Sequence, residues 1–62
     1  MHTYTLDAQL PSGAYAHDSG LTAQEVSNAY RNADRLGITI LNVTRDDNVV
    51  MSPADIRAAF GN

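Results

Sequence analysis

Cysteine is absent from this 62-residue chain, and so are lysine and tryptophan. Without cysteine, neither a disulfide nor a thiolate metal site can stabilise the fold. A chain of this length buries only about 60% of the surface that its unfolded form exposes. We therefore expect a single domain over residues 1–62 with a stability of about 3–5 kcal/mol, unless oligomerisation or a larger partner supplements the core.

Positive charge is scarce as well. The chain has four arginines against seven acidic residues, for a net charge of −3. Non-specific nucleic-acid binding depends on an excess of basic residues, so this balance disfavours it. No apolar run approaches the ~18 residues of a membrane span, and the first ten residues lack the features of a signal peptide. We expect a cytoplasmic protein without membrane contact.

Motifs for catalysis or metal binding are missing too. His17-Asp18-Ser19 brings three catalytic residue types together, but such groups are normally assembled in space rather than as neighbours in sequence. His2 and His17 are the only histidines, with no third ligand at metal spacing. Asp46-Asp47-Asn48 lacks the twelve-residue pattern of a calcium loop. The sequence predicts no enzyme, no metal site and no cofactor.

The N-terminal segment alternates from Thr3 to Leu10, and this period of two predicts a half-buried strand that ends at Pro11. The face that carries Thr3, Thr5, Asp7 and Gln9 is expected to stay open to water or to a partner. Residues 11–20 are rich in turn formers and predict a long loop, with Tyr15 packed on the edge of the core.

A helix is predicted from about Leu21 to Leu36. Thr22 and Glu25 have the spacing of a capping box, and Gly37 suits the left-handed position that ends a helix. The residues on its apolar side are three and four apart, as expected for a helix that packs on a core: Val26, Ala29, Tyr30, Ala33 and Leu36.

Residues 38–43 form a run rich in β-branched residues that predicts a strand, but the pattern does not fix which of its faces is buried. Ile38 and Ile40 share one face while Leu41 and Val43 share the other, so either both faces are covered or a bulge at Leu41 shifts the register. Residues 44–48 then predict a hairpin turn, with Asp47 or Asn48 left-handed, and 49–51 a short return strand.

A last helix is predicted to begin after Ser52, which suits the N-cap position, and to end at Gly61. Ile56, Ala59 and Phe60 are expected to pack it on the core.

The predicted fold is a small α+β domain in the order β-α-β-β-α. It has a three-stranded mixed or antiparallel sheet with the long helix on one face and a short C-terminal helix. A helix between the first two strands permits a parallel crossover between them. The strand order stays open between 1-2-3 and 2-1-3, and we see no internal repeat.

The predicted solvent-exposed face of the long helix offers the best candidate site. Arg31 and Arg35 are four residues apart, where like charges repel by a few tenths of a kcal/mol. Arginine is enriched at protein interfaces. The candidate partner-binding residues combine this helix face with the predicted hairpin turn: Asn28, Arg31, Asn32, Arg35, Arg45, Asp46 and Asp47.

Three functional hypotheses follow. The favoured one is a non-catalytic protein-interaction module, of the kind that bacteriophages or mobile elements use to inhibit a larger host complex, as anti-CRISPR proteins do. This comparison rests on size and class. The alternatives are a nucleic-acid-binding regulator that uses helix 22–36, and a homo-oligomer, such as a homodimer, that binds a small molecule at a subunit junction. A phage-encoded inhibitor would act in the cytoplasm of the host cell.

Overall fold

The computed structural model describes residues 1–60. In this range the elements are β1 (Tyr4–Gln9), β2 (Tyr15–Leu21), α1 (Ala23–Leu36), β3 (Thr39–Arg45), β4 (Val50–Met51) and α2 (Pro53–Phe60). The strands form one sheet in the order β2-β1-β3-β4, and each neighbouring pair is antiparallel. The α+β class is confirmed. The predicted end of the last helix at Gly61 lies outside the described residues.

The prediction of a long loop over residues 11–20 was wrong. Leu10 and Ala14 close a tight turn, and residues 15–21 return along β1 as a fourth strand. The strand was missed because His17, Asp18 and Gly20 have poor strand propensity, which pairing with β1 overrides. Tyr15 is 74% exposed rather than packed on the core edge.

The parallel crossover that the sequence permitted between the first two predicted strands is also not observed. Since β2 reverses the chain before α1 begins, β3 enters the sheet antiparallel to β1. Of the two strand orders left open, the first is observed, with the 38–43 run between β1 and the return strand.

The phase ambiguity in β3 is resolved by a bulge. Asp7 pairs with Asn42, but the next residue, Ala8, pairs with Ile40, which leaves Leu41 as the extra residue. The bulge turns Ile40 and Val43 to the same side of the sheet. Of the two alternatives left open, the bulge at Leu41 is the one observed.

Helix α1 has the predicted caps. The side chain of Thr22 accepts from the Glu25 amide, the Glu25 carboxylate accepts from the Thr22 amide, and Gly37 is left-handed with φ 72°. Val26 and Ala33 are buried, while Ala29 and Tyr30 are half-buried.

Leu36 was wrongly assigned to the core and is 56% exposed. At about 100° per residue it lies about 80° around the helix from Val26, at the margin of the buried stripe.

The core lies between the two helices and one face of the sheet. Val26 of α1, Val43 of β3, and Ile56 and Phe60 of α2 form its buried cluster. Phe60 meets the Tyr4 ring edge-on, with centroids 5.6 Å apart. The predicted contact of Ala59 was wrong, since Ala59 is exposed.

The chain contains an internal repeat that the sequence analysis missed: a β-hairpin followed by a helix occurs twice. The two hairpin turns are alike. The Gly13 amide donates to the Leu10 carbonyl and the Asn48 amide to the Arg45 carbonyl, and Gly13 and Asn48 both have positive φ. Each residue of the first hairpin is equivalent to the residue 35 positions later in the second. Asp7 is therefore equivalent to Asn42, and these two residues pair with each other at the centre of the sheet. A pseudo-twofold axis therefore passes through the middle of the sheet.

The two helices repeat the same pattern. Ser52 and Asp55 form a reciprocal cap like that of Thr22 and Glu25. Within the helices, Ile56 corresponds to Val26 and Phe60 to Tyr30 by their distance from the cap. The repeat was missed because it preserves the physical type of most residues rather than their identity.

The cap at Gly37 generates a stability prediction. A Cβ at this position would lie 3.1 Å from the Pro11 side chain, in a left-handed backbone that costs an L-residue about 1–2 kcal/mol. We expect Gly37→Ala to lower the free energy of unfolding by more than that strain alone, measured by urea denaturation.

Gly20→Ala is the matched control, because Gly20 has a similar φ of 69° with nothing within 4 Å of its Cβ position. Equal losses in the two variants would show that the Pro11 contact has no energetic effect.

Candidate interaction surfaces

One face of the sheet is left uncovered by the helices within the described residues. The strand positions that point to it are mostly polar: Thr5, Asp7, Gln9, His17, Asn42 and Thr44. They are half-buried except for His17, which is exposed. This agrees with the expectation that the alternate face of β1 stays open.

A histidine and a carboxylate meet on this open face. His17 Nδ1 lies 2.5 Å from Asp7 Oδ1, because β1 and β2 place the two residues directly opposite each other. The sequence analysis grouped His17 with Asp18 and Ser19 instead. Residues 15–21 show no period-two alternation, so the sequence carried no signal for this contact. The pair is open to solvent, with the His17 side chain 67% exposed, so it lacks the enclosure of a catalytic site.

The β3–β4 turn holds a second polar cluster. Arg45 donates from Nε and one terminal nitrogen to the two oxygens of Asp47, at 2.8 and 2.7 Å. His2 Nδ1 lies 2.7 Å from Asp46 Oδ1, and the Asp46 amide donates to the Thr3 carbonyl, so the N-terminal segment is attached to the turn. Asn48 takes the left-handed position, with φ 67°, as one of the two predicted options.

These contacts lower the pKa values of the two aspartates in the turn. The hydrogen bonds from Arg45 lower the pKa of Asp47 from 3.8 to about 2. The hydrogen bond with His2, followed by that from the Thr3 amide, lowers the pKa of Asp46. Both carboxylates are thus held in the charged form.

The same turn brings three metal-ligand types together, since ligand atoms of His2, Asp46 and Asp47 lie within 4.8 Å of one another. All three residues are exposed. Each oxygen of Asp47 already accepts from Arg45, so a cation would compete with a guanidinium for it. The arrangement is best explained as an ion-paired turn.

The predicted residues on α1 form a surface of their own. Asn32 donates to the Asn28 carbonyl at 2.7 Å, and Arg35 donates to the Asn32 side-chain oxygen at 2.5 Å. Arg31 is exposed on the same helix. The Arg35 guanidinium is therefore held along the helix surface.

The structure separates the two parts of the predicted site. Arg35 is near the end of α1, just before β3 begins, whereas Arg45 ends β3. A seven-residue strand spans about 20 Å, so Arg45, Asp46 and Asp47 do not extend the arginine pair at that helix end.

A third surface arises where the repeat is incomplete. In the first hairpin, β2 continues through His17–Leu21 and pairs with β1 as far as Tyr4. In the second, β4 stops at Met51 and α2 begins at Pro53. As a result, residues 39–42 of β3 have no strand partner on their outer edge within residues 1–60.

A groove accompanies this uncovered edge. It encloses about 260 Å³ between the C-terminal half of α1 and the start of β3, and its lining is Tyr30, Ala33, Asp34, Ile38, Thr39 and Ile40. Tyr30 also lines the adjoining groove between α1 and α2. Leu41, an exposed large apolar residue, lies on the uncovered stretch, and two more, Val49 and Val50, lie at β4, which pairs with the other end of β3.

Comparison of the chain with protein-family models, with curated proteins and with solved structures finds no match. Neither α1 nor α2 is long and apolar enough to cross a membrane.

The Arg45–Asp47 pair generates a pH prediction. The pKa of Asp47 is depressed in the folded chain, so the pair contributes stability above about pH 4 and loses it as the pH falls towards about 2. We expect Arg45→Gln to return the pKa of Asp47 towards 3.8, measured by NMR titration of the side-chain carboxyl.

Arg57→Gln, which removes a charge of the same type from α2, is the control and should leave that pKa unchanged. An unaltered Asp47 pKa in Arg45→Gln would show that the ion pair is not formed in solution.

Proposed function

We propose that the protein is a small, non-catalytic protein-interaction module. The observation that carries this proposal is the uncovered stretch of β3 at residues 39–42, together with exposed apolar side chains on this half of the sheet: Leu41 on the stretch itself, and Val49 and Val50 at β4. A protein partner would bury both the apolar side chains and the backbone groups at this edge.

The charge distribution supports a protein partner over nucleic acid. Arg45 is paired with Asp47, and the open face of the sheet carries Asp7. The net charge of −3 offers few cations for phosphate contacts. The polar groups on this face are suited to hydrogen bonding with another polypeptide.

Within this class, we propose the role of an inhibitor or modulator of a larger host complex, as in phage-encoded anti-CRISPR proteins, acting in the cytoplasm. Size and class support this narrower role. It requires that binding alone, without chemistry, alters the partner.

The test is affinity capture of the tagged protein from a nuclease-treated bacterial lysate, followed by mass spectrometry. We expect one partner at stoichiometric yield. The double variant Val49→Thr with Val50→Thr should lower its recovery at least about tenfold, because each buried valine contributes about 1.5–3 kcal/mol.

Two controls locate the surface. Tyr15→Thr changes an exposed aromatic residue of β2, at the opposite edge of the sheet, and should have no effect. Arg31→Glu with Arg35→Glu tests the helix face instead. Failure to recover a partner, with only monomer in solution, would contradict the proposal, and a partner recovered only from a parallel lysate without nuclease would favour nucleic acid.

A further inference from the structure

The internal repeat shows what is missing from the second half of the molecule. Pairs Ala8–Ala16 and Gln9–Tyr15 of the first hairpin correspond to Val43–Met51 and Thr44–Val50 of the second. The two hairpins therefore share one register next to their turns. Beyond this point the first hairpin continues through His17–Leu21, and the second has no counterpart of these five residues.

The chain's own β4 does not continue along β3, for a local reason. Ser52 caps α2 by accepting from the Asp55 amide, and Pro53 begins the helix. Proline has no amide hydrogen to donate to a strand. The edge at residues 39–42 is thus left open by the early start of α2.

From this correspondence we infer that an extended segment of a partner protein adds as a strand along residues 39–42 of β3, in the place that His17–Leu21 takes along β1. Strand addition supplies backbone hydrogen bonds, while pockets for alternate side chains provide specificity. The inference rests on the proposed function and names its mode of binding.

The first half also indicates the chemistry of the occupant. The segment His17–Leu21 is small or polar except for Leu21, which packs against the core cluster. The partner segment should likewise carry mainly small or polar residues and one aliphatic side chain directed to the helix side. The groove between Tyr30, Ala33 and Ile40 is available for that side chain.

A peptide with the sequence of residues 14–22 is the defined probe, because this segment covers the equivalent edge within the molecule. We expect saturable amide shifts in the NMR spectrum at residues 39–42 and around Tyr30 and Ala33. Hydrogen exchange of the outward amides at this edge should slow about tenfold when the peptide is at about nine times its Kd.

A variant that closes the edge from within gives an independent measurement. Inserting His-Asp-Ser-Gly-Leu between Met51 and Ser52 lengthens β4 to match β2. This variant should melt at a higher temperature than one with Gly-Ser-Gly-Ser-Gly inserted at the same place, and it should no longer bind the peptide.

Three results would overturn the inference. The first is absence of peptide shifts at residues 39–42 in the unmodified chain. The second is unchanged peptide binding by the variant with the lengthened β4. The third is concentration-dependent shifts at this edge without peptide, together with a dimer in sedimentation, since the occupant would then be a second copy of the chain.

The capture experiment separates this inference from the broader function. If the variant with the lengthened β4 still recovers the stoichiometric partner, strand addition at this edge is wrong and the interaction module stands. If the unmodified chain recovers no partner, the proposed function itself fails.

Discussion

The antiparallel pairing of β1 with β3 is the contact on which the rest of the structure depends. It joins the two halves of the chain at the centre of the sheet, around the Asp7–Asn42 pair. Leu6 and Val43 lie opposite each other on the side covered by the helices, so the same pairing forms the floor of the core. Because a single hairpin of this size is marginally stable in water, neither half is expected to persist without the other.

The two halves are built alike but are not equally complete. In each half a hairpin turn with a left-handed third residue leads, through a reciprocal cap, into a helix that packs on the same core. The first half has a seven-residue second strand, whereas the second half has only Val50–Met51. This difference leaves residues 39–42 of β3 paired on one side only, whereas the matching stretch of β1 is paired on both sides.

Function is therefore best sought in this asymmetry rather than in the charged residues that stand out in the sequence. Arg45 and Asp47 satisfy each other within their turn, and Arg35 is held by Asn32. Their contacts account for local structure. For the uncovered edge of β3, by comparison, the first half of the chain shows which kind of segment would pair with it, because His17–Leu21 pairs with the equivalent part of β1. This edge therefore supports a more specific proposal.

The sequence by itself determined the local features that depend on neighbouring residues. Both capped helix starts, the stop at Gly37 and the turn before Val49 were predictable, because caps and turns require particular side chains at short spacing. The bulge at Leu41 was one of two explanations for an apolar pattern that changes phase. Only the tertiary structure decided that residues 15–21 form a strand, since the pairing energy comes from β1 and not from their own propensity.

The same reason explains the rest of the candidate site. Asp7 meets His17 because two strands align, and Arg45 is separated from Arg35 because β3 runs between them. The open edge could be recognised only by comparing two hairpins whose residues differ but whose registers agree. Sequence spacing records short-range chemistry, whereas contacts between distant segments are set by how the whole sheet is assembled.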